Sequence, residues 1–130
     1  MIDKKLWPVF SEYIRLRDSN ENGFCTCITC PNIRYWKNMD CGHGISRGHM
    51  GTKYHEENNH AQCKICNCHK RGNPVEYKKA VDKKYGPGTW EKIQAMARIP
   101  TKFGGFEVST MLFYFQEEIK KLRAAKNLRE

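Results

Sequence analysis

Residues 57–73 read Glu-Asn-Asn-His-Ala-Gln-Cys-Lys-Ile-Cys-Asn-Cys-His-Lys-Arg-Gly-Asn. Cys63 and Cys66 form a C-x2-C pair within this stretch, and Cys27 and Cys30 form a second pair upstream. Each pair offers two thiolates from one tight turn, and four thiolates complete a tetrahedral zinc site with no open position. Ordinary buried cysteines or a redox pair are the alternatives, but paired C-x2-C units favour a structural Zn²⁺ ion.

The chain contains seven cysteines, and an odd number cannot close into a framework made only of disulfides. Clustered cysteines in a reducing compartment are better suited to binding metal, so we expect a cytoplasmic protein. Cys25, Cys41 and Cys68 lie outside the two pairs. Because Cys25 lies two residues before Cys27, a shifted register of the first pair stays open.

Length and composition limit the class of protein. A chain of 130 residues fits a single domain over 1–130, and its hydrophobic fraction of 39% is enough for a core. A mean hydropathy of -0.77 and the lack of a long apolar run exclude a membrane span, and no secretory leader is visible. The net charge of +9 suggests a nucleic-acid partner, although solvated lysine-rich helix faces explain it equally well.

The residue pattern predicts an α+β, mostly helical fold in three consecutive parts. These are an N-terminal helical part (1–23), a zinc-containing core (24–73) and a helical C-terminal part (74–130). Apolar residues at helical spacing predict a first helix over 3–18, and Pro8 places the start of its regular part nearby.

Short elements are expected on either side of the second cysteine pair. The segments 33–36 and 52–54 carry β-formers and predict strands of a short hairpin. Downstream, Asn73 is a candidate N-cap for a helix over 74–85, and Thr89 for the next helix.

The last helix is predicted from about Ser109, and its apolar positions alternate in steps of three and four. They are Leu112, Phe115, Ile119 and Leu122. Such a narrow seam suits packing on another helix, which belongs either to the same domain or to a second copy of the chain.

Four polar residues near the cysteine pairs could carry chemistry. The Asp40 carboxylate and the Asn67 amide oxygen could hold a Mg²⁺ ion that keeps waters free for phosphate oxygens, and His43 would be the general base. Asn58 lies between them in the sequence. Each has a structural alternative, since Asp40 could cap a turn, His43 could pack in a loop and Asn67 could cap a helix.

The order C-x2-C, D-x2-H, C-x2-C-N resembles the HNH or ββα-metal nucleases in their endonuclease VII layout. The similarity is closer to the lambdoid phage Rap/NinG recombination endonucleases, and residues 13–18, 57–73 and Tyr77 carry it. The resemblance implies an HNH-like ββα-metal core with flanking helices. It also implies a metal-dependent, structure-selective endonuclease that cuts Holliday junctions and other branched DNA in the cytoplasm of a phage host.

Residue by residue, the resemblance assigns roles to the same four positions. Asp40 and Asn67 match the ligands of a catalytic Mg²⁺ or Mn²⁺ ion, and His43 matches the general base. Asn58 matches the residue that fixes the loop carrying the histidine through hydrogen bonds to its backbone. The sequence departs from the commonest HNH pattern at Asn67, where many members of the family have histidine. The role of His69 stays open.

Basic residues near these positions predict a DNA surface of phosphate contacts. The candidates are Arg15, Arg17, Arg47, His69, Lys70 and Arg71.

Two symmetric cuts in a junction require two sites, so we expect a homodimer. We expect no membrane partner. The competing functions are a non-catalytic zinc-finger module that binds nucleic acid and an HNH endonuclease of ordinary duplex DNA.

Overall fold

The computed structural model describes residues 3–128, and it confirms the α+β, mostly helical class. The helices are α1 (Asp3–Arg17), α2 (Met50–Lys53), α3 (Pro74–Tyr85), α4 (Thr89–Ala97) and α5 (Gly105–Ala125). The strands are β1 (Phe24–Thr26), β2 (Ile33–Tyr35), β3 (Asp40–His43) and β4 (Asn59–Gln62).

The strands form two separate antiparallel pairs. β1 pairs with β2, and β3 pairs with β4 in a register that sets Asp40 opposite Gln62 and His43 opposite Asn59. A short π-helical segment, Ile65–His69, follows β4 directly. Strand β3 therefore carries the candidate carboxylate, Asp40, at its start and the candidate imidazole, His43, at its end, with β4 paired alongside.

Helix α1 begins at Asp3, so the prediction that its regular part begins near Pro8 is wrong. Pro8 lies inside the helix and is exposed. Pro8 is the sixth residue of α1, beyond the first four residues whose N–H groups have no intrahelical partner, so its missing N–H removes one helical hydrogen bond. Burial of Leu6 and Phe10, both almost fully inaccessible, stabilises the first turns in spite of this loss.

Helix α5 packs along α1, and the apolar seam predicted on α5 is used within the chain. The Phe115 ring centroid lies 5.0 Å from that of Phe10 and 5.1 Å from that of Tyr13. Leu112, Ile119 and Leu122 pack against the same core. The seam is therefore an intramolecular contact, and it does not supply the interface expected for a homodimer.

Three local predictions are corrected by the structure. Residues 52–54 belong to α2 and the turn after it, because the buried amide of Asn58 donates to the Thr52 carbonyl oxygen and fixes the chain in a turn. Asn73 precedes α3 but makes no side-chain cap, since it adopts a left-handed conformation (φ 49°). Helix α5 starts before Ser109 because the Glu107 carboxylate accepts a hydrogen bond from the Gly104 N–H at 2.8 Å.

A buried polar network attaches α3 to the second hairpin. Nδ1 of His60 lies 3.1 Å from the Tyr77 hydroxyl, and its Nε2 lies 2.8 Å from the Tyr85 hydroxyl. Tyr77 in turn donates to the carbonyl oxygen of Gly42 at 2.8 Å. Burial lowers the pKa of His60 to about 3, so the ring is neutral and the network holds β3 and β4 in place.

Within residues 3–128, no helix combines the length and the apolar character that crossing a bilayer requires.

Candidate functional site

The four predicted zinc ligands come together in the structure. The Sγ atoms of Cys27, Cys30, Cys63 and Cys66 all lie within 4.8 Å of one another. Cys27 follows β1, Cys30 lies in the turn before β2, and the other two flank the start of the segment Ile65–His69. Four sulfur donors at this separation suit a tetrahedral Zn²⁺ ion that ties the two hairpins together.

Hydrogen bonds favour the thiolate at Cys63, whereas burial raises the pKa of the neighbouring Cys30 thiol. Burial alone would raise the pKa of Cys63, but hydrogen bonds from the Cys66 backbone and from side chains including Asn32 lower it to about 6. The Asn73 amide lies 3.8 Å from the Cys66 sulfur. A thiolate at this position carries the negative charge that a Zn²⁺ ion would neutralise.

The open question about Cys25 is resolved by its contacts. Its thiol donates to the Arg15 carbonyl oxygen at 3.2 Å, and burial raises its pKa to about 12. Cys25 is therefore a packing residue, and Cys27 belongs to the cluster. Cys41 is also buried, with its pKa raised to about 12 by burial, whereas Cys68 is exposed.

Asp40, His43 and Asn67 line one cleft of about 460 Å³. The first two come from the ends of β3, and Asn67 comes from the helical segment that follows the second cysteine pair. Gly42 lies between Asp40 and His43, and a Cβ atom there would collide with the Gln62 side chain. Glycine is therefore required for the close pairing that presents both side chains to the cleft.

The two candidate ligands of a catalytic ion are in direct contact. The Asn67 amide donates to Oδ2 of Asp40 at 3.0 Å, and the Lys64 ammonium lies 2.6 Å from Oδ1. Burial raises the pKa of the Asp40 carboxyl, but these hydrogen bonds outweigh it and hold the pKa below its usual value. An ionised carboxylate beside an amide, open to a polar cleft, is a donor set that fits Mg²⁺ or Mn²⁺.

His43 is partly buried beside this pair. Its Nδ1 atom is inaccessible and has no hydrogen-bond partner within residues 3–128. Burial lowers the pKa of His43, and the neighbouring guanidinium of Arg47 lowers it further. The imidazole is thus neutral near neutral pH and able to accept a proton.

Asn58 makes the hydrogen bonds that the family resemblance implies. Its amide donates to the carbonyl oxygens of Ile45 and Thr52, each at 3.1 Å, and its Oδ1 accepts from the Ile45 N–H at 2.7 Å. The Gly44 N–H donates to the Asn58 carbonyl oxygen at 2.8 Å. Asn58 therefore fixes the loop that leaves His43, from a fully buried position.

The predicted basic residues divide into groups. Arg15 and Arg47 line the cleft. Arg17 does not, because it pairs with Asp18 at 2.8 Å and donates to the carbonyl oxygens of Glu56 and Asn59 at 3.0 and 2.7 Å. Through these contacts Arg17 links α1 to the backbone on both sides of Asn58. Its donors are occupied by these partners and are therefore less available to bind a DNA phosphate.

The remaining basic candidates lie at the end of the segment Ile65–His69 and directly after it. His69, Lys70 and Arg71 are exposed. Arg71 also lines a neighbouring depression of about 250 Å³ that is shared with His43 and Asn67. Arginines therefore line both the cleft and the depression beside it.

A sequence model of the family described as Bacteriophage Lambda NinG protein matches residues 2–126. The chain belongs to the NinG family. This is a phage recombination-associated family. Comparison with curated proteins and with solved structures gave no match.

The NinG match spans α1, both hairpins and α5, and it includes site residues that the sequence reasoning missed. Trp7 and Ser11 line the cleft from α1. Asp18 accepts a hydrogen bond from the Ala61 N–H at 2.8 Å and so holds the outer edge of β4. Their signal in the sequence was weak, because helical spacing places Trp7 on an ordinary apolar face and Asp18 in an ordinary turn.

Proposed function

We propose that this NinG-family protein is a metal-dependent endonuclease of branched DNA that acts on Holliday junctions and related structures in phage recombination. The observation that carries the proposal is the convergence of Asp40, His43 and Asn67 in one cleft flanked by Arg15 and Arg47. A carboxylate, an amide and a neutral imidazole beside positive charge form the set of groups that phosphodiester hydrolysis needs.

The two metals have separate roles in this proposal. Zn²⁺ on the four cysteines is structural, since all four ligand positions belong to the protein. Asp40 and Asn67 would hold Mg²⁺ or Mn²⁺, and the ion would stabilise the negative charge that develops on the phosphate. Strands β3 and β4 with the segment Ile65–His69 would then be the ββα-metal unit of an HNH-like core.

His43 is the general base in the proposed reaction. It removes a proton from a water molecule whose oxygen forms a bond to phosphorus, while the bond from phosphorus to the leaving oxygen breaks and that oxygen takes a proton from solvent. The lowered pKa of His43 keeps the ring unprotonated before this step. Asn58 positions the base because it fixes the backbone that follows His43.

The basic surface supplies affinity without reading bases. Arg15 and Arg47 line the cleft, Arg71 lines the neighbouring depression and Lys70 is exposed, so these four side chains would contact phosphates of bound DNA. Phosphate contacts position DNA and carry no direct sequence information, which suits an enzyme that selects a shape.

Cleavage of a synthetic four-way junction in Mg²⁺ or Mn²⁺ tests the proposal. We expect the full chain to cut the junction and to leave a linear duplex of the same arm sequence largely intact. Equal cutting of the duplex would indicate an ordinary HNH duplex nuclease. Tight junction binding without cutting in either metal would indicate a non-catalytic zinc-finger module.

We also propose that two copies act on one junction, because each chain supplies one candidate cleft and resolution needs two symmetric cuts. The interface lies outside the α5 seam, since Phe115 is buried against α1. Sedimentation equilibrium with and without junction DNA measures this directly. A monomer in both conditions would contradict the dimer.

A further inference from the structure

We propose that Trp7 is a positioning residue that holds the Arg47 guanidinium over the cleft, where Arg47 binds a DNA phosphate next to the one that is cut. This inference rests on the proposed function and names a specific contact of the same site. It assigns a role to an aromatic side chain that lies on the apolar face of a helix and is otherwise explained by packing.

The guanidinium of Arg47 lies over the ring of Trp7. Cζ of Arg47 lies 4.6 Å from the ring centroid of Trp7, and both residues line the cleft with Asp40 and His43. A guanidinium within about 6 Å of an indole centroid is held by the ring quadrupole. Of the arginines stacked on tryptophan in residues 3–128, Arg47 lies closest to its ring.

The indole itself is firmly anchored. Its centroid lies 5.8 Å from that of Phe10 and 6.0 Å from that of Tyr54, both in the buried core between α1 and α5. Trp7 is therefore a rigid platform on a helix. Arg47, by contrast, lies in the irregular loop between β3 and α2, where Asn58 fixes the backbone at Ile45 but no hydrogen bond restrains the Arg47 side chain within residues 3–128.

Stacking leaves the N–H groups of Arg47 available. The guanidinium of Arg47 lies over the Trp7 ring. The N–H groups of this guanidinium make no hydrogen bond or ion pair in the described part of the chain. A carboxylate partner would instead occupy those donors and cancel the charge. Planar edge donors match the oxygens of a phosphate, so a stacked and unpaired arginine is suited to binding one.

Arg15, which lines the same cleft from α1, provides the contrast. It also stacks on a tryptophan, with Cζ 5.4 Å from the Trp36 centroid. However, it donates to the Trp36 carbonyl oxygen at 3.2 Å and to Ser11 at 3.2 and 3.3 Å. Arg15 is thus partly committed to internal contacts, whereas Arg47 has its donors open.

Anisotropy of a labelled four-way junction in the absence of divalent cation tests the proposal, because binding needs no hydrolysis. We expect Arg47→Ala to weaken binding about fivefold and to reduce the salt dependence by about one phosphate contact. Trp7→Leu should weaken junction binding about threefold in the parent protein. In a protein that already carries Arg47→Ala, Trp7→Leu should have no further effect on binding. Trp7→Phe should retain most of the parental affinity. Arg98→Ala removes an equal charge from a residue that does not line the cleft and controls for net charge.

Arg47→Lys keeps the test decisive if Trp7→Leu fails to fold, since Arg47 is exposed and its replacement leaves the core intact. It retains the charge but loses the planar face, so its affinity should fall close to that of Arg47→Ala. Three results would overturn the proposal. Trp7→Leu could weaken junction binding equally in the parent and in the Arg47→Ala background, or Arg47→Lys could bind with parental affinity. The third is an Arg47→Ala protein that binds the junction no more weakly than Arg98→Ala. Absence of cleavage by the parent would refute the proposed function and leave this coupling measurable.

Discussion

The Lys64 ammonium lies 2.6 Å from Oδ1 of Asp40, the carboxylate that we propose as a ligand of the catalytic ion. Lys64 directly follows Cys63 of the four-cysteine cluster, and its side chain is 64% exposed. The Asn67 amide takes the other carboxylate oxygen at 3.0 Å. A divalent cation must therefore displace an ammonium group before it can bind Asp40 at Oδ1.

This contact predicts that Lys64→Met tightens the binding of Mn²⁺ to the DNA-free protein by about two- to fivefold. The variant removes a competing cation whose exposed ion pair is weak, so the gain is correspondingly modest. Calorimetric titration with Mn²⁺ measures it. Lys70→Met, which removes an equal charge at the end of the same helical segment, should leave the affinity near the parental value. Weaker Mn²⁺ binding by Lys64→Met would contradict the competition.

The cysteine cluster predicts that the protein contains one structural zinc ion and that Cys63→Ser is severely destabilised. Loss of a ligand removes metal-binding free energy that is also folding free energy, so we expect the free energy of unfolding to fall by more than about 4 kcal/mol. Elemental analysis and urea unfolding check the two parts. Cys68→Ser changes an exposed thiol outside the cluster and should unfold like the parent. Zinc-free protein of parental stability would rule out the site.

The four-cysteine cluster was predictable because the spacing of the cysteines limits which of them can share one site. Two residues between cysteines fit one tight turn, and no detail of packing is needed to identify Cys27 or Cys66 as a candidate ligand. The register of the first pair was not predictable, since it depends on where the Cys25 side chain points in β1. The helix over 3–18 was predictable, but its regularity before Pro8 was missed, because Pro8 lowers local helix propensity and the tertiary burial of Leu6 and Phe10 compensates.

The buried imidazole of His60 predicts a pH-dependent contribution to stability. Its pKa is about 3 in the folded protein against 6.5 in a model peptide, so the unfolded chain binds a proton first as the pH falls. Stability from this group is complete above pH 6.5 and is lost towards pH 3, by up to about 1.4 kcal/mol per pH unit.

Urea unfolding of the parent and of His60→Gln at a series of pH values isolates this effect. Both proteins carry the same cysteines, so the titration of the zinc site cancels in the difference between them. The stability advantage of the parent should shrink as the pH falls below 6.5. A difference that stays constant with pH would show that His60 is not neutral in the folded protein.

The proposed ion site predicts that Asp40→Ala and Asn67→Ala separate binding from cutting. Each variant removes a ligand, so single-turnover cleavage should fall about 100-fold or more. Junction affinity should be unchanged, or slightly higher for Asp40→Ala, because a negative charge leaves the DNA surface. Asn38→Ala is an exposed asparagine control outside the cleft. Near-parental cutting by either variant would contradict its role as a ligand.

The cleft shows where sequence reasoning stops. Asp40, His43 and Asn67 could be proposed as site residues from their order relative to the cysteine pairs. Asp40 and His43 share one strand, and Asn67 directly follows Cys66 of the second cysteine pair. Arginine is a residue type that usually lies at the surface, so the sequence does not distinguish Arg17 from Arg47. In the structure Arg17 pairs with Asp18, whereas Arg47 stacks on Trp7. That difference depends on which face of α1 packs against β4, which no local pattern records.

The single-turnover cleavage rate of a four-way junction by His43→Ala, measured beside the parent in saturating Mg²⁺, tests the central claim most directly. Removal of a general base should lower the rate about 100- to 10,000-fold while junction binding and zinc content stay parental. His49→Ala, an exposed histidine of the same loop, should cut like the parent. A His43→Ala protein that folds, binds the junction and cuts it at the parental rate would contradict the account.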